Sequence, residues 1–187
     1  WSPQSSATRV LWMLEELQEP YQIEAIDIRA EPRRDPPDFL AASPMGKVPA
    51  LRDGEERLSG SAPICLYLAD RYAAGRLAPR PDEAGRCRFL QWMFYSPAAI
   101  EPAMMEKFMG LEPNKVAAPW GTWDLMLDVL ENRLAESHWI AGDAFSAADV
   151  MIGSSCYFLK SFNLVAPTPV MSTYIDRCSA RPAYQRA

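Results

Sequence analysis

The chain has 187 residues, with 19 Lys and Arg against 24 Asp and Glu, and a formal net charge of −5 at pH 7. This length is enough for one large or two small domains with a buried core. An acidic chain without a block of Lys or Arg argues against nucleic acid and anionic membranes as partners. No stretch approaches the ~18 consecutive apolar residues of a membrane span, so no membrane-spanning helix is predicted.

The numbers and spacing of cysteine and histidine limit the kinds of catalytic and metal sites that the chain could form. The 4 cysteines are far apart, without a CxxC pair or a metal-ligand spacing, so neither a metal nor another cofactor is predicted. Cys65 and Cys156 lie in apolar runs, which indicates buried thiols in a reducing compartment and hence a cytoplasmic location. His138 is the only histidine, so a histidine-based triad is disfavoured and the chemistry must be done without imidazole.

The first half of the chain predicts alternating helices and strands. In order, the predicted elements are a helix over 9–17, a strand with a possible bulge over 21–28, a short helix over 38–42, a hairpin that turns at Asp53-Gly54, and a helix from Ser61 to about Tyr72. Because a helix flanked by strands implies a parallel pair, we expect one further strand before Trp1. That strand would complete a thioredoxin-like α/β domain.

The second half predicts helices only. Residues 74–83 are a proline-containing linker, which predicts a boundary between a domain over 1–76 and an all-helical domain over 82–187. The predicted helices cover 85–108, where Pro97 and Pro102 should kink or split the helix, then 117–136, and then a stretch that follows Ser146.

The helix after Ser146 has an explicit start signal. Asp149 follows three residues later, which is the spacing of a capping box. The apolar run from Val150 to Leu159 then predicts a buried central helix. We therefore interpret Ser146 and Asp149 as a structural pair and not as catalytic residues.

The stretch over 44–61 carries the strongest functional signal. Pro49 cannot donate to a sheet ladder, so it should open a strand and leave the backbone groups of Val48 for an extended peptide. Ser61 precedes an apolar run and is predicted as a helix N-cap, where bare N–H groups favour a carboxylate. One short segment thus predicts a peptide-binding edge beside an anion-binding helix start.

Three motifs of the chain resemble the cytosolic, serine-type glutathione S-transferases, of bacterial kind. They are Gly46-Lys47-Val48-Pro49-Ala50-Leu51 with its serine-containing helix start, Gly142-Asp143-Ala144-Phe145-Ser146-Ala147-Ala148-Asp149, and the ending Arg181 to Ala187. The resemblance implies the fold of that family, a thioredoxin-like N-terminal domain followed by an all-α C-terminal domain. It also implies glutathione as a co-substrate and assembly as a homodimer.

The resemblance assigns the glutathione contacts. It implies that Pro49 is cis, that the Val48 backbone pairs with the cysteinyl part of glutathione, and that Ser61 meets the γ-glutamyl carboxylate. Lys47 meets the glycine carboxylate or the cysteinyl backbone, with a solvated lysine as the equally weighted alternative. Gly60 departs from the family, which usually has Glu, Gln or Asp there to pair with the γ-glutamyl amino group. We therefore expect weaker glutathione binding than is usual for the family, or a preference for a thiol that lacks this amino group, and tighter glutathione binding in Gly60→Glu.

A hydroxyl before the first helix would activate the thiol. Lowering a thiol pKa from about 8.5 to 6.5 requires roughly 2.7 kcal/mol. A charge-assisted hydrogen bond contributes about 1.5–3 kcal/mol and a helix N-terminus about 0.3–1 kcal/mol, so no base is needed. Aligned through Arg9, the family's catalytic serine falls on Ser5, with Ser2 as the alternative. A simple helix cap at Ser5 is the structural alternative.

The second substrate would lie between the Ser5 loop and the helix over 85–108. Trp92, Tyr95 and Met105 are candidate wall residues there, although most aromatic and Met side chains of this helix are expected to lie in the core. The predicted function is a glutathione transferase that attacks a small hydrophobic electrophile in detoxification. Alternatives are a non-catalytic binding or scaffold protein, which Gly60 favours, and a glutathione-dependent isomerase or disulfide reductase on the same site.

Overall fold

The computed structural model describes residues 5–30, 35–112 and 114–187. The N-terminal part contains α1 (Ala7–Leu17), α2 (Pro37–Ala42), β1 (Ala50–Asp53), β2 (Glu56–Ser59) and α3 (Ser61–Tyr72). The C-terminal part contains α4 (Arg86–Tyr95), a π-helical turn (Ser96–Ile100), α5 (Glu101–Met109), α6 (Trp123–Glu136), α7 (Ala147–Ser161), α8 (Pro169–Ser179) and α9 (Pro182–Arg186). This is the predicted order of an α/β unit followed by a helical unit.

The hairpin forms as its turn signal predicts. β1 and β2 are antiparallel, with Leu51 opposite Leu58 and Asp53 opposite Glu56. Gly54 has φ +59°, a left-handed conformation that glycine adopts without a steric penalty. The hairpin is held to α3, because the hydroxyl of Tyr67 donates to Asp53 at 2.9 Å.

The predicted strand over 21–28 is wrong, since these residues have no regular secondary structure. A strand needs a neighbour to bond its backbone groups, and in the described ranges β1 and β2 pair only with each other. A groove of about 850 Å³ is lined by this segment on one side and by β1 on the other. Ile26 is buried at its edge, whereas Ile23 is 52% exposed.

The interruption of one predicted helix is confirmed, and the start of another needs correction. The helix predicted over 85–108 is interrupted, as its prolines suggested, by the π-helical turn that contains Pro97. The helix predicted from residue 117 begins only at Trp123, because Thr122 is its N-cap and its side chain accepts from the N–H of Leu125 at 3.1 Å. Gly121, with φ +68°, turns the chain just before this cap.

The centre of the helical unit is α7, as predicted. Its first ten residues and Ser146, its N-cap, are all buried, and the capping box of Ser146 and Asp149 is present. The Asp149 carboxylate also accepts from the N–H of Ile140 at 2.7 Å and from the hydroxyl of Tyr174 at 2.8 Å. The box therefore ties the helix start to the preceding loop and to α8, which is a structural role.

The two units share one packed core. α1 contacts α3 within the N-terminal part and also contacts α7 and α9 of the helical part. Trp12 and Met13 of α1 lie in the same buried cluster as Val150 and Met151 of α7. Within the ranges that the structure describes, no helix combines the length and apolar character needed to cross a bilayer.

Candidate functional site

The start of β1 and the start of α3 lie side by side. The N–H of Gly60 donates to the carbonyl of Pro49 at 3.1 Å, and the Val48–Pro49 peptide bond is cis. Ser43 fixes the backbone just before Val48, because its hydroxyl donates to the carbonyl of Lys47 at 2.7 Å and accepts from the Lys47 N–H at 3.0 Å. The segment predicted to bind a peptide and the segment predicted to bind an anion are thus joined directly.

Val48 presents an open backbone edge. No hydrogen bond joins its backbone N–H or C=O to another residue of the described ranges, and β1 begins only at Ala50. Unpaired backbone groups at the end of a strand can bond to an added extended peptide. The side chain of Lys47 is exposed next to this edge.

The predicted N-cap at Ser61 is one residue off. Gly60 is the N-cap of α3 and has φ +89°, while Ser61 is the first helical residue. The first-turn N–H groups of a helix have no intrahelical acceptor, and no side-chain cap bond is made at this end. The α3 start therefore still offers its N–H groups and the Ser61 hydroxyl to a carboxylate.

Ser5 lies just before α1 and is half-buried. Its Oγ accepts from the N–H of Ala7 at 3.2 Å, and its carbonyl accepts from the N–H of Thr8 at 3.2 Å. This contact is of the capping type, and it orients a hydroxyl that can both donate and accept. The alternative candidate, Ser2, lies outside the described residues.

Arg9 is the site residue that sequence reasoning missed. Its side chain is 1% exposed, and its Nη1 donates to the Ser61 Oγ at 3.4 Å and forms an ion pair with the Glu101 carboxylate. Nη2 donates to the Ser155 Oγ at 3.0 Å. A cation in the first turn of a helix is unfavourable unless a negative group compensates its charge. An arginine at this position was therefore the sequence signal that could have identified Arg9.

The partners of Arg9 form a polar network between the two units. The hydroxyl of Ser96 donates to Glu101 Oε1 at 3.1 Å and lies 2.8 Å from the Ser155 hydroxyl. The Arg9 guanidinium also lies 5.3 Å from the centre of the Phe158 ring. The network therefore connects α1 and the start of α3 to α5 and α7.

Burial excludes the nearest cysteine as a nucleophile. The Cys65 thiol lies 3.8 Å from the carbonyl of Arg9. Burial raises the pKa of this thiol to about 12, so it is not ionised at neutral pH. The described residues also contain no cluster of His, Cys, Asp and Glu that could hold a metal ion.

Of the predicted wall residues for a second substrate, Trp92 belongs to the core and Tyr95 is partly buried against it. Trp92 is 4% exposed and its ring centre lies 4.8 Å from that of Tyr95, whose hydroxyl donates to the carbonyl of Met126 at 2.8 Å. Met105 is exposed, as a wall residue would be. Phe108 and Phe162 form an exposed aromatic pair, with ring centres 5.6 Å apart. Because these two residues lie far apart in the sequence, no sequence pattern predicts that they form a pair.

Family models match both parts of the chain. The model described as "Glutathione S-transferase, N-terminal domain" matches residues 1–71, and "Glutathione S-transferase, C-terminal domain" matches residues 92–182. These matches agree with the order of the α/β and helical units in the structure. They confirm the fold class predicted from the sequence.

Individual relatives agree with the family models. The chain is 30% identical to Glutathione S-transferase GstB of Escherichia coli, over 97% of this chain and 92% of that protein. It is 30% identical to Glutathione S-transferase 3 of Schizosaccharomyces pombe, over 78% of this chain and 66% of that protein. The solved structure of a sphingomonad glutathione S-transferase complexed with glutathione matches with a TM-score of 0.79 and 28% identity, over 100% of this chain and 94% of that chain. The chain therefore belongs to the glutathione S-transferase family, which confirms the enzyme class predicted from its sequence.

Proposed function

We propose that the protein binds glutathione along Val48 and the start of α3, and catalyses the attack of its thiolate sulfur on a small hydrophobic electrophile. The observation that carries the proposal is the open Val48 edge beside the α3 start, where the Gly60 N–H donates to the Pro49 carbonyl at 3.1 Å. Glutathione is an extended tripeptide with a carboxylate at each end, which suits such an arrangement. The relative solved as a complex with glutathione supports this ligand.

The placement of each part of glutathione follows from the chemistry of the site. The cysteinyl amide would bond to the Val48 backbone, and the γ-glutamyl carboxylate to Ser61 and the N–H groups of α3. The exposed ammonium of Lys47 would attract the glycine carboxylate. The thiol would then lie towards the start of α1, where Ser5 is located.

The Ser5 hydroxyl would stabilise the thiolate by donating a hydrogen bond to it. Such a charge-assisted bond is worth about 1.5–3 kcal/mol, which is enough to lower the thiol pKa by one to two units. The thiolate sulfur then forms a bond to the electrophilic carbon, and the leaving group departs with the bonding electron pair. The thiol proton is lost to solvent before this step, so no residue of the chain acts as a base.

The electrophile would lie over the exposed side chains at the ends of α5 and α7. Phe108, Met105 and Phe162 are each more than half exposed. An apolar surface of this kind favours a hydrophobic substrate, which suits detoxification of small reactive compounds in the cytoplasm. No further cofactor is needed for this reaction.

A homodimer is part of the proposal. The outer surface of α3 and the facing end of α4 enclose a shallow groove lined by Pro63, Leu66 and Phe94, and Phe94 is 39% exposed. A second copy of the chain would cover this apolar surface. Sedimentation at micromolar concentration tests it, because a monomeric mass would contradict the dimer.

The second candidate function is a binding or scaffold protein without catalysis, which Gly60 favours. Retention on immobilised glutathione, followed by elution with free glutathione, separates the two. Conjugation of glutathione to an aryl chloride, followed spectroscopically, then tests the transferase directly. Retention with turnover supports the proposal, whereas no retention and no turnover would contradict it.

A further inference from the structure

The 9 methionines of the chain form a buried set and an exposed set. Six of them are at most 7% exposed, so their thioethers are shielded from solutes. These are Met13, Met93, Met104, Met126, Met151 and Met171. The others are Met45, which is 79% exposed, Met105, which is 55% exposed, and Met109, which is 64% exposed. Two of the three exposed thioethers therefore lie on one short helix, α5.

The two exposed methionines of α5 extend the apolar surface that is proposed above for the electrophile. Met105 and Met109 are four residues apart, so they are neighbours on the helix surface. Phe108, three residues after Met105, is another neighbour on this surface and is 51% exposed. Its ring centre lies 5.6 Å from that of Phe162. An apolar ligand that covers the aromatic pair would therefore also cover thioether sulfur.

An exposed thioether is oxidised by a peroxide without help from a neighbouring residue. A sulfur lone pair attacks one peroxide oxygen, so an S–O bond forms as the O–O bond breaks. The proton on the transferred oxygen passes to the other oxygen, which departs as water or as an alcohol. The sulfur loses two electrons and the peroxide gains them. The product is methionine sulfoxide, which is polar and which a sulfoxide reductase converts back to the thioether.

We infer that Met105 and Met109 are oxidation sites, and that their sulfoxides weaken the binding of apolar ligands to the outer side of α5. The inference rests on the electrophile surface proposed above. A sulfoxide oxygen is a hydrogen-bond acceptor, and an apolar ligand that covers it removes its hydration without replacing it. The contacts proposed for glutathione, at Val48 and Ser61, include no thioether. Oxidation would therefore weaken binding of the second substrate and leave glutathione bound.

This separation of the two substrates has a consequence for the reaction. In the presence of peroxide, the oxidised protein would still hold glutathione but would conjugate it more slowly. Glutathione would then be spared while the peroxide persists, and a sulfoxide reductase would restore conjugation afterwards. The fold protects its core during this cycle, because the buried methionines are shielded.

The first measurement maps the oxidised residues. The folded protein is treated with hydrogen peroxide, the peroxide is removed with catalase, and the peptides are weighed by mass spectrometry. All proteins carry Cys87→Ser, because Cys87 is an exposed thiol that peroxide also oxidises. We expect sulfoxide at Met105 and Met109, whereas Met104 should react only in urea. Equal reaction of Met104 and Met105 in the folded protein would overturn the inference.

The second measurement tests the apolar surface without requiring turnover. The affinity for the apolar dye anilinonaphthalene sulfonate is measured by fluorescence before and after peroxide treatment. We expect about tenfold weaker dye binding after treatment, and recovery with methionine sulfoxide reductase and a dithiol. Unchanged dye binding, or a loss that the reductase does not reverse, would overturn the inference.

Matched variants assign the effect to α5. The double variant Met105→Leu, Met109→Leu keeps two apolar side chains but has no thioether at these positions, so its dye affinity should survive peroxide. Met45→Leu removes the exposed thioether outside α5 and should lose dye affinity as the native chain does. Equal losses in the double variant and in the native chain would contradict the assignment to α5.

The same samples separate this inference from the proposed function. In Met45→Leu, peroxide should raise the KM for an aryl chloride about tenfold and leave the affinity for glutathione, measured by calorimetry, unchanged. A loss of glutathione affinity on oxidation would overturn the separation of the two substrates. Absence of both glutathione binding and turnover before any treatment would overturn the proposed function, and the dye titrations would still decide whether oxidation acts on α5.

Discussion

Arg181 and Glu16 form a bidentate ion pair that joins the start of the last helix to the first helix. Arg181 Nε lies 2.6 Å from Glu16 Oε1, and Nη2 lies 2.7 Å from Oε2. Trp12 also donates to Glu16 Oε1 at 2.9 Å, and the Glu16 side chain is 7% exposed. The ending that resembles the family motif thus has a structural role.

Glu16→Gln should destabilise the protein by about 3 kcal/mol, because the substitution leaves Arg181 facing a buried site without its counter-charge. Urea unfolding measures the change. Arg186→Gln breaks the more exposed pair with Glu15 and should cost less than about 1 kcal/mol. Similar losses in the two variants would contradict a special role for the Arg181 pair.

Ser5→Ala should slow conjugation at pH 7 by about tenfold, because loss of one hydroxyl-to-thiolate hydrogen bond raises the bound thiol pKa by one unit or more. The effect should shrink at pH 9, where the thiol ionises without help. Ser6→Ala is the matched control, since its side chain makes no cap bond to α1. A pH-independent loss in Ser5→Ala would point to a structural role, and the same profile in Ser2→Ala alone would transfer the role to Ser2.

Asp149 should give the protein a recognisable pH dependence. Burial raises the pKa of its carboxyl to about 6 from an ordinary value of 3.8, although hydrogen bonds from Ile140, Tyr174 and Ser146 oppose the shift. The folded state therefore holds this proton more tightly than the unfolded state. The resulting stabilisation is complete below about pH 4 and is lost as the pH rises through about 6.

The Asp149→Asn variant isolates this contribution. Its amide does not titrate, so the difference in unfolding free energy between the native chain and the variant should change between pH 4 and pH 6 in favour of the native chain at the acid end. Chemical denaturation at half-unit pH intervals measures it. A difference that is constant with pH would show that the hydrogen bonds to the carboxylate cancel the effect of its burial, and a difference that favours the native chain at the alkaline end would show that they outweigh it.

The conformation of Gly60 changes the expectation drawn from the sequence. Gly60→Glu was expected to tighten glutathione binding by supplying the missing carboxylate. With φ at +89°, any side chain here strains the backbone, so Gly60→Ala and Gly60→Glu should each destabilise α3 by about 1 kcal/mol. Calorimetry on both variants then separates charge from strain, because only tighter binding by the Glu variant than by the Ala variant would show a contact with the ammonium.

The parts of the fold that could be predicted are those with local signals. Asp53-Gly54 specifies its own turn, and Ser146 with Asp149 specifies its own helix start. The strand over 21–28 could not be judged locally, because strand formation depends on a partner strand that need not be close in sequence. Its β-rich composition therefore indicated a tendency to form a strand, but it did not indicate a neighbouring strand to pair with.

The candidate site also contains residues with a local sequence signal and residues without one. Val48, Pro49 and Ser61 lie within one short stretch, and their motif was sufficient to locate them. The bond between Arg9 and Glu101 spans 92 positions and has no sequence signature. Trp92 lies in the core, as was expected for most large side chains of its helix, because only the packing decides which of them can reach a substrate.

The π-helical turn over 96–100 determines the direction in which the side chains of α5 point around the helix axis. Successive residues of an α-helix are rotated by about 100°, so residues five apart point about 140° away from each other. In the π turn the N–H of Glu101 donates to the carbonyl of Ser96, and the side chains of these two residues meet on one side at 3.1 Å. The π turn therefore keeps the Glu101 carboxylate beside Ser96 and Arg9, whereas an α-helix of the same sequence would place it about 140° away from Ser96.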